Sequence, residues 1–232
     1  MQVVQSANLK METKIPKLAI IAGNGSIPFY LIEECKKIGR EYCLIIIEGH
    51  GKELSEKYDP DYIVSLSKMG RAVKYVKNIG IKHILMVGGV KRPSLKNIIP
   101  DLWTAKFLTT ISSKVSGDNS VLSKLTKALE KEGFIIVAPE EILPNLICPK
   151  GTLGKVKPNQ QNNEDISTGY RIAKIIGAND IGQSIIIENG LVIAVEAAEG
   201  TDRMIKRSLS LKKEKKAGVL IKVIKPMQDK RI

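Results

Sequence analysis

The stretch KLAIIAGNGSIPFYLIEECKKIG, residues 17–39, decides how the chain is read. LAIIA is an unbroken apolar run, the pattern of a strand buried on both faces of a parallel sheet. FYLIEECKKIG then carries apolar residues at helical spacing and stops on Gly39. GNGSIP joins the two. Gly23 and Gly25 in such a turn let the backbone approach a phosphate at a helix N-terminus, and they equally suit a plain tight turn. The dinucleotide fingerprint asks for a third glycine where this chain has Pro28. An NAD(P)-binding oxidoreductase, with Glu48 as the ribose-binding acid after the second strand, is one reading. A nucleotide-facing turn without redox chemistry is another.

Outward from that unit, strands and helices alternate. YCLIIIEG, DYIVSLS, HILMVGGV and FIIVAPEEI read as strands. GRAVKYVKNIG reads as a helix closed by Gly80, and SLKNIIPDLWTAKFLTTISSKV as a helix interrupted at Pro100. GDNSVLSKLTKALEKEG reads as a helix with an N-cap near Asp118 and a stop at Gly133. The pattern predicts an α/β fold with a doubly wound parallel sheet over residues 16–142, after a loose tail at 1–15. Proline, glycine and a polar run then mark a linker over 143–157. A second α/β domain is expected over 158–232. It holds the helix DISTGYRIAKIIG, the strand pair SIIIENGLVIAVEA about a type I′ turn at Asn189-Gly190, the helix GTDRMIKRSLSL and the strand GVLIKVIKP.

Composition narrows the function. The net charge is +13, and the last 30 residues hold 11 Lys or Arg against Glu214 and Asp229. Such a segment suits a phosphate-rich ligand, an anionic membrane surface or nucleic acid, and equally a solvated basic face. Aromatics are only 4% of the chain, too few for base-stacking platforms, so no nucleic-acid partner is expected. Cys35, Cys43 and Cys148 form no CxxC pair, and no apolar run spans a membrane, which points to a cytoplasmic protein with at most peripheral contact at an inner membrane. His50 and His83 lack ligand-like neighbours, so a zinc site is not expected.

Two further stretches carry chemistry. GGVKRPS (88–94) follows a strand end, where Lys91 and Arg92 are placed to grip a pyrophosphate or to form an exposed basic turn. VEAAEGTD (195–202) sets Glu196, Glu199 and Asp202 among small residues. Strand alternation turns Glu196 away from Val195 and Ala197. Parallel strand ends and helix starts are expected to gather these acids with Asp180 and Asp229. Carboxylate oxygens with water and substrate phosphate suit Mg²⁺, and Lys206, Arg207, Lys222 and Lys225 balance a polyphosphate. Helix capping by Asp202 with surface ion pairs is the plainer alternative.

The segments AGNGSIP, GGVKRPSL, DISTGY, DIGQSIIIENG, AVEAAEGTDRMIKR and GVLIKVIKPMQDKR, in this order, resemble the LpxI-type UDP-2,3-diacylglucosamine pyrophosphatases of lipid A biosynthesis. EGTD with KPxQDxR is the specific part. The resemblance implies a Rossmann-like lid domain and a catalytic domain. It implies Mg²⁺-dependent hydrolysis of UDP-2,3-diacylglucosamine to UMP and 2,3-diacylglucosamine 1-phosphate. Carried onto this sequence, it makes Asp229, Asp202 and Lys225 catalytic, and Glu199, Asp202 and Asp229 metal-binding. Substrate binding falls to Gly23, Gly25, Lys91, Arg92, Thr201, Arg207 and Gln228. A homodimer stays open. The family continues after QDxR with a DLPTIG-like segment, whereas this sequence stops at Ile232. A truncated catalytic domain is therefore expected, and a relative that binds a UDP-sugar lipid without turnover stays open.

Overall fold

The computed structural model describes residues 15–91, 99–111, 118–211, 218–226, 229 and 231, with 118–120 described as backbone only. Two compact units emerge: Met1–Ala105 with Leu129–Pro144, and Lys106–Ala128 with Asn145–Ile232.

The first unit is built on β1 (Leu18–Ala22), β2 (Tyr42–Ile47), β3 (Tyr62–Val64), β4 (His83–Val87) and β5 (Ile135–Ile136), with helices α1 (Ile27–Lys37), α2 (Lys52–Lys57) and α3 (Met69–Asn78) between the first four strands. The strands lie in the order β3-β2-β1-β4-β5, and every pair is parallel. All five residues of β1 are buried, as a central parallel strand requires. Leu18, Ile20, Leu44 and Ile46 pack on one face against Leu31, Ile32 and Cys35 of α1 and Leu54 of α2. Ala19, Ile21, Cys43 and Ile45 alternate to the other face and are equally buried. The doubly wound α/β sheet expected from the sequence is the one that forms.

Two elements differ from their sequence pattern among the described residues. The long helix expected around Pro100 is helical over α4 (Leu102–Ile111). Its start is fixed by Asp101, whose carboxylate accepts from the N–H groups of Thr104 at 2.8 Å and Arg71 at 3.1 Å. Residues 92–98 and 112–117 lie outside the described residues. After α5 (Asp118–Lys131), the expected strand FIIVAPEEI pairs only at Ile135 and Ile136, because Pro139 opens the short helix α6 (Pro139–Ile142). Proline lacks the N–H that a strand would donate.

In the second unit α7 (Gln160–Ala178) begins in the polar run NQQNNE, ahead of the expected helix DISTGYRIAKIIG. Asn159 is the reason: its side chain accepts from the Asn162 N–H at 2.8 Å, and Asn162 reaches back to the Asn159 N–H at 3.2 Å. β6 (Ser184–Glu188), β7 (Leu191–Val195) and β8 (Val219–Lys222) form a sheet ordered β7-β6-β8, with both pairs antiparallel. α7 covers Ile185, Ile187, Ile221 and Val223 through Ala173. α8 (Thr201–Ser208) covers Ile186 and Ala194 through Met204. The DISTGY segment is structural: Gly169 sits where a Cβ would meet Ile221 Cδ1 at 2.5 Å. Asp165, 2% exposed, accepts from Asn189 N–H at 3.0 Å and Gly190 N–H at 2.7 Å. Asn189 and Gly190 have φ of 51° and 78°, the geometry that a type I′ turn requires.

Candidate functional site

β6 runs antiparallel to both neighbours, so its first residue lies beside the last residues of β7 and β8. Ser184 is in register with Lys222, and the Glu196 N–H donates to Ser184 O at 2.9 Å. One end of the sheet therefore carries the EGTD loop leading into α8, the segment that follows β8, and the turn after α7. The turn packs closely: a Cβ at Gly182 would meet Glu196 O at 2.0 Å, and one at Gly177 would lie 3.6 Å from Lys225. Strand ends do bring Glu196, Thr201 and Lys222 together. They do so through an antiparallel sheet, not the parallel strand ends expected from sequence, because the tight Asn189-Gly190 turn returns β7 beside β6.

At this edge Lys222 Nζ donates to Thr201 Oγ1 at 2.8 Å, and Thr201 Oγ1 donates to Glu196 Oε1 at 3.1 Å. Thr201 is the first residue of α8, and Glu196 is 7% exposed. Lys225 Nζ donates to Asp180 Oδ1 at 2.5 Å with its side chain 13% exposed. Glu199 binds Arg207 at 2.6 Å and the Ala197 N–H at 3.1 Å, while Arg207 also donates to Val195 O at 3.0 Å. The Arg207 hydrogen bond holds the Glu199 carboxyl below its usual range. This clamp closes the EGTD loop on the last turn of α8.

Asp229 is held separately. Arg231 donates to it from Nε at 2.9 Å, from its terminal nitrogen at 2.7 Å and from its backbone N–H at 3.0 Å. Thr126 on α5 adds a bond at 3.1 Å. The Arg231 guanidinium is the main reason the Asp229 pKa falls to about 2, against the opposing effect of burial. Such a carboxylate stays ionised at neutral pH, where it accepts hydrogen bonds well and takes a proton poorly.

The expected metal ligands are thus engaged apart. Glu199 and Asp229 each hold an arginine, and Asp202 is exposed in the first turn of α8, where its charge suits the helix dipole. Among the described residues no group of three His, Cys, Asp or Glu side chains is placed to hold a metal ion. These residues do not form a ligand set for Mg²⁺, and no metal-dependent step follows from them.

In the first unit, the expected phosphate turn has another use. Asn24 and Gly89 exchange backbone hydrogen bonds of 2.9 and 2.8 Å, which joins the loops after β1 and β4. A Cβ at Gly23 would meet Gly89 O at 2.6 Å, so that glycine is required by the neighbouring backbone. Gly25, with φ of 109°, faces open space before α1. Asn24 also accepts from the Gly51 N–H at 2.8 Å, beside a cleft of about 150 Å³ lined by Gly23, Gly25, Phe29 and Lys52. The Lys91 N–H donates to His50 Nε2 at 3.0 Å, and His50 Nδ1 faces Glu48 O at 3.1 Å; the Lys91 side chain is exposed. Arg92 and Gln228 lie outside the described residues.

Glu196 was expected among the gathered acids but not in the catalytic, substrate or metal set, and Ser184 and Asp165 were not singled out as site or anchor residues from sequence. For Glu196 the signal was present: alternation along β7 sets it opposite Val195 and Ala197, and the neighbouring Ala and Gly residues leave it enclosed. Nothing local marks Asp165, whose hairpin partners lie 24 and 25 residues away.

Family models describe the same two segments. The LpxI N-terminal domain matches residues 17–146 and the LpxI C-terminal domain matches 149–232. A curated relative from Caulobacter vibrioides, UDP-2,3-diacylglucosamine pyrophosphatase LpxI, is 34% identical over 223 residues, covering 93% of this chain and 79% of its own. Among solved structures, the Bordetella bronchiseptica enzyme WbmG in complex with NAD aligns over 54% of this chain and 37% of its own, at 15% identity and a TM-score of 0.31. A short-chain dehydrogenase/reductase superfamily protein from Agrobacterium tumefaciens with bound NAD aligns over 69% of this chain and 45% of its own, at 12% identity and a TM-score of 0.30. Those alignments are too loose to bear on fold or function. The two domain matches cover nearly all of the described residues, and this chain belongs to the LpxI family.

Proposed function

We propose that this chain hydrolyses the pyrophosphate bond of UDP-2,3-diacylglucosamine, releasing UMP and 2,3-diacylglucosamine 1-phosphate, in lipid A biosynthesis. Membership of the LpxI family and the name of the Caulobacter relative support the substrate class. The observation that carries the reading is the end of the β7-β6-β8 sheet, where Lys222, Thr201, Lys225 and the start of α8 arise together. A diphosphate needs cations and N–H donors to offset its charge while a water attacks phosphorus. The ammonium groups and the unsatisfied N–H groups of a helix start supply both. Asp229 is suited to orient that water as an acceptor, with Arg231 keeping it ionised.

Mg²⁺ belongs to the proposal as a companion of the substrate diphosphate, whose oxygens and waters are the hard ligands that it prefers. The basic C-terminal segment supports peripheral docking on an anionic membrane, and no described helix is long and apolar enough to cross one.

The test is release of labelled UMP from UDP-2,3-diacylglucosamine by the purified chain, with Mg²⁺ or with EDTA. We expect turnover with Mg²⁺ and loss of at least about tenfold with EDTA. No release above a protein-free control in Mg²⁺ refutes the hydrolase reading. Full activity in EDTA removes the metal from it.

A further inference from the structure

Glu196 presents a polar group that the fold does not need. Its Oε1 accepts from Thr201, but among the described residues its buried Oε2 has no hydrogen-bond partner. The loop around it is held by other bonds: Glu196 N–H to Ser184 O, and Glu199 to Ala197 N–H and Arg207. Half-satisfied buried carboxylates are costly, and native structures keep them where they serve a purpose.

The purpose is visible one bond further on. A hydroxyl has one proton and two acceptor positions. Glu196 takes the Thr201 proton, which turns the lone pairs of Oγ1 toward Lys222 Nζ at 2.8 Å. Without the carboxylate, that hydroxyl keeps only Ser184 Oγ at 3.5 Å, a contact too long to hold its proton away from the ammonium, and the bond to Lys222 weakens. Lys222 is an exposed side chain at the end of β8, with no other hydrogen bond or ion pair evident to it among the described residues.

We propose that Glu196 is a positioning residue which, acting through Thr201, holds the Lys222 ammonium at the first turn of α8, so that the ammonium and the helix N–H groups take one phosphoryl group of the diphosphate. This rests on the pyrophosphatase reading for its substrate. Glu196 touches no reacting atom; its effect passes entirely through Lys222. Thr201 was expected in the substrate site, and its role here is to transmit orientation.

The test compares the full chain with E196A, E196Q, T201V, K222M and the E196A/K222M double variant. Two readouts are used: kcat and KM for UMP release, and the side-chain ammonium signal of Lys222 in ¹⁵N-lysine-labelled protein. We expect E196A and T201V each to lower kcat/KM about tenfold, and K222M more. E196Q, whose amide oxygen still accepts from Thr201, recovers most of the E196A loss. In the K222M background, E196A adds less than about twofold, because the two act as one unit. The Lys222 signal sharpens in wild type and E196Q and is lost to solvent exchange in E196A and T201V. Equal E196A losses in both backgrounds, or an unchanged Lys222 signal in E196A and T201V, overturn the proposal. T201V is nearly isosteric, so it speaks even if E196A fails to fold. If wild type releases no UMP, the pyrophosphatase reading fails and the relay is judged with UDP. A UDP-induced shift of the Lys222 signal in wild type but not in E196A supports it, and equal shifts refute it.

Discussion

Asp165 shows how one side chain fixes a turn that its own segment does not contain. Nearly withdrawn from water, it accepts from Asn189 and Gly190 N–H groups and from Gln161 Nε2 at 3.1 Å. Removing it leaves two turn N–H groups without their acceptor, so D165A is expected to cost about 2–3 kcal/mol. Urea unfolding followed by circular dichroism measures this, and amide exchange at Asn189 and Gly190 should rise in step. Asp229 gives a pH signature. Its folded pKa of about 2 lies below the ordinary carboxylate value, so the stabilisation is present above about pH 4 and is lost as pH falls toward 2. D229N is therefore expected to be less stable than wild type at pH 7, with the gap closing between about pH 4 and 2. A stability difference that did not change with pH would contradict the Arg231 pairing.

Among elements, the turn between α7 and β6 has the least room. Gly182 lies so close to Glu196 that a Cβ would overlap the carbonyl oxygen at 2.0 Å, and a backbone atom cannot rotate away as a side chain can. G182A should push the EGTD loop from the start of β6, at a cost of about 2–3 kcal/mol. UMP release should fall with it. G169A meets only side-chain atoms, of Ile221 and Ile187, which can shift, and should cost less, about 1–2 kcal/mol. Thermal denaturation of the two variants side by side checks the order; the reverse order would mean that the loop yields more easily than the core.

At the scale of the whole molecule, charge is segregated along the chain. The last 30 residues carry 11 basic side chains against two acids, while residues 1–202 have a net charge of only +4. If the chain works on a lipid held in an anionic membrane, it should sediment with vesicles containing phosphatidylglycerol and far less with phosphatidylcholine vesicles. Raising salt from about 0.05 to 0.3 M should weaken that binding several-fold, since the Debye length shrinks below about 10 Å. Equal sedimentation with both vesicle types would leave the basic segment without a membrane role.

Elements with local causes could be read without the fold. LAIIA and YCLIII are apolar throughout and had to be buried strands; Gly39 and Gly80 stop helices; Asn189-Gly190 closes a hairpin. The two-segment family pattern was legible for the same reason, as ordered short motifs. Features that rest on residues far apart in the chain came to light only on packing. Asn24 meets Gly89 across the sheet and accounts for Gly23, Asp165 reaches the hairpin, and Arg231 and Thr126 converge on Asp229. The acids of the EGTD and QDxR motifs looked like one cluster in sequence. In the fold each described one is satisfied or solvated by itself, because carboxylates close together repel unless a cation lies between them, and arginines are the nearest cations. Glu196 was visible in sequence as one of the acids of VEAAEGTD, but only packing showed that one of its oxygens is buried and, among the described residues, unpaired.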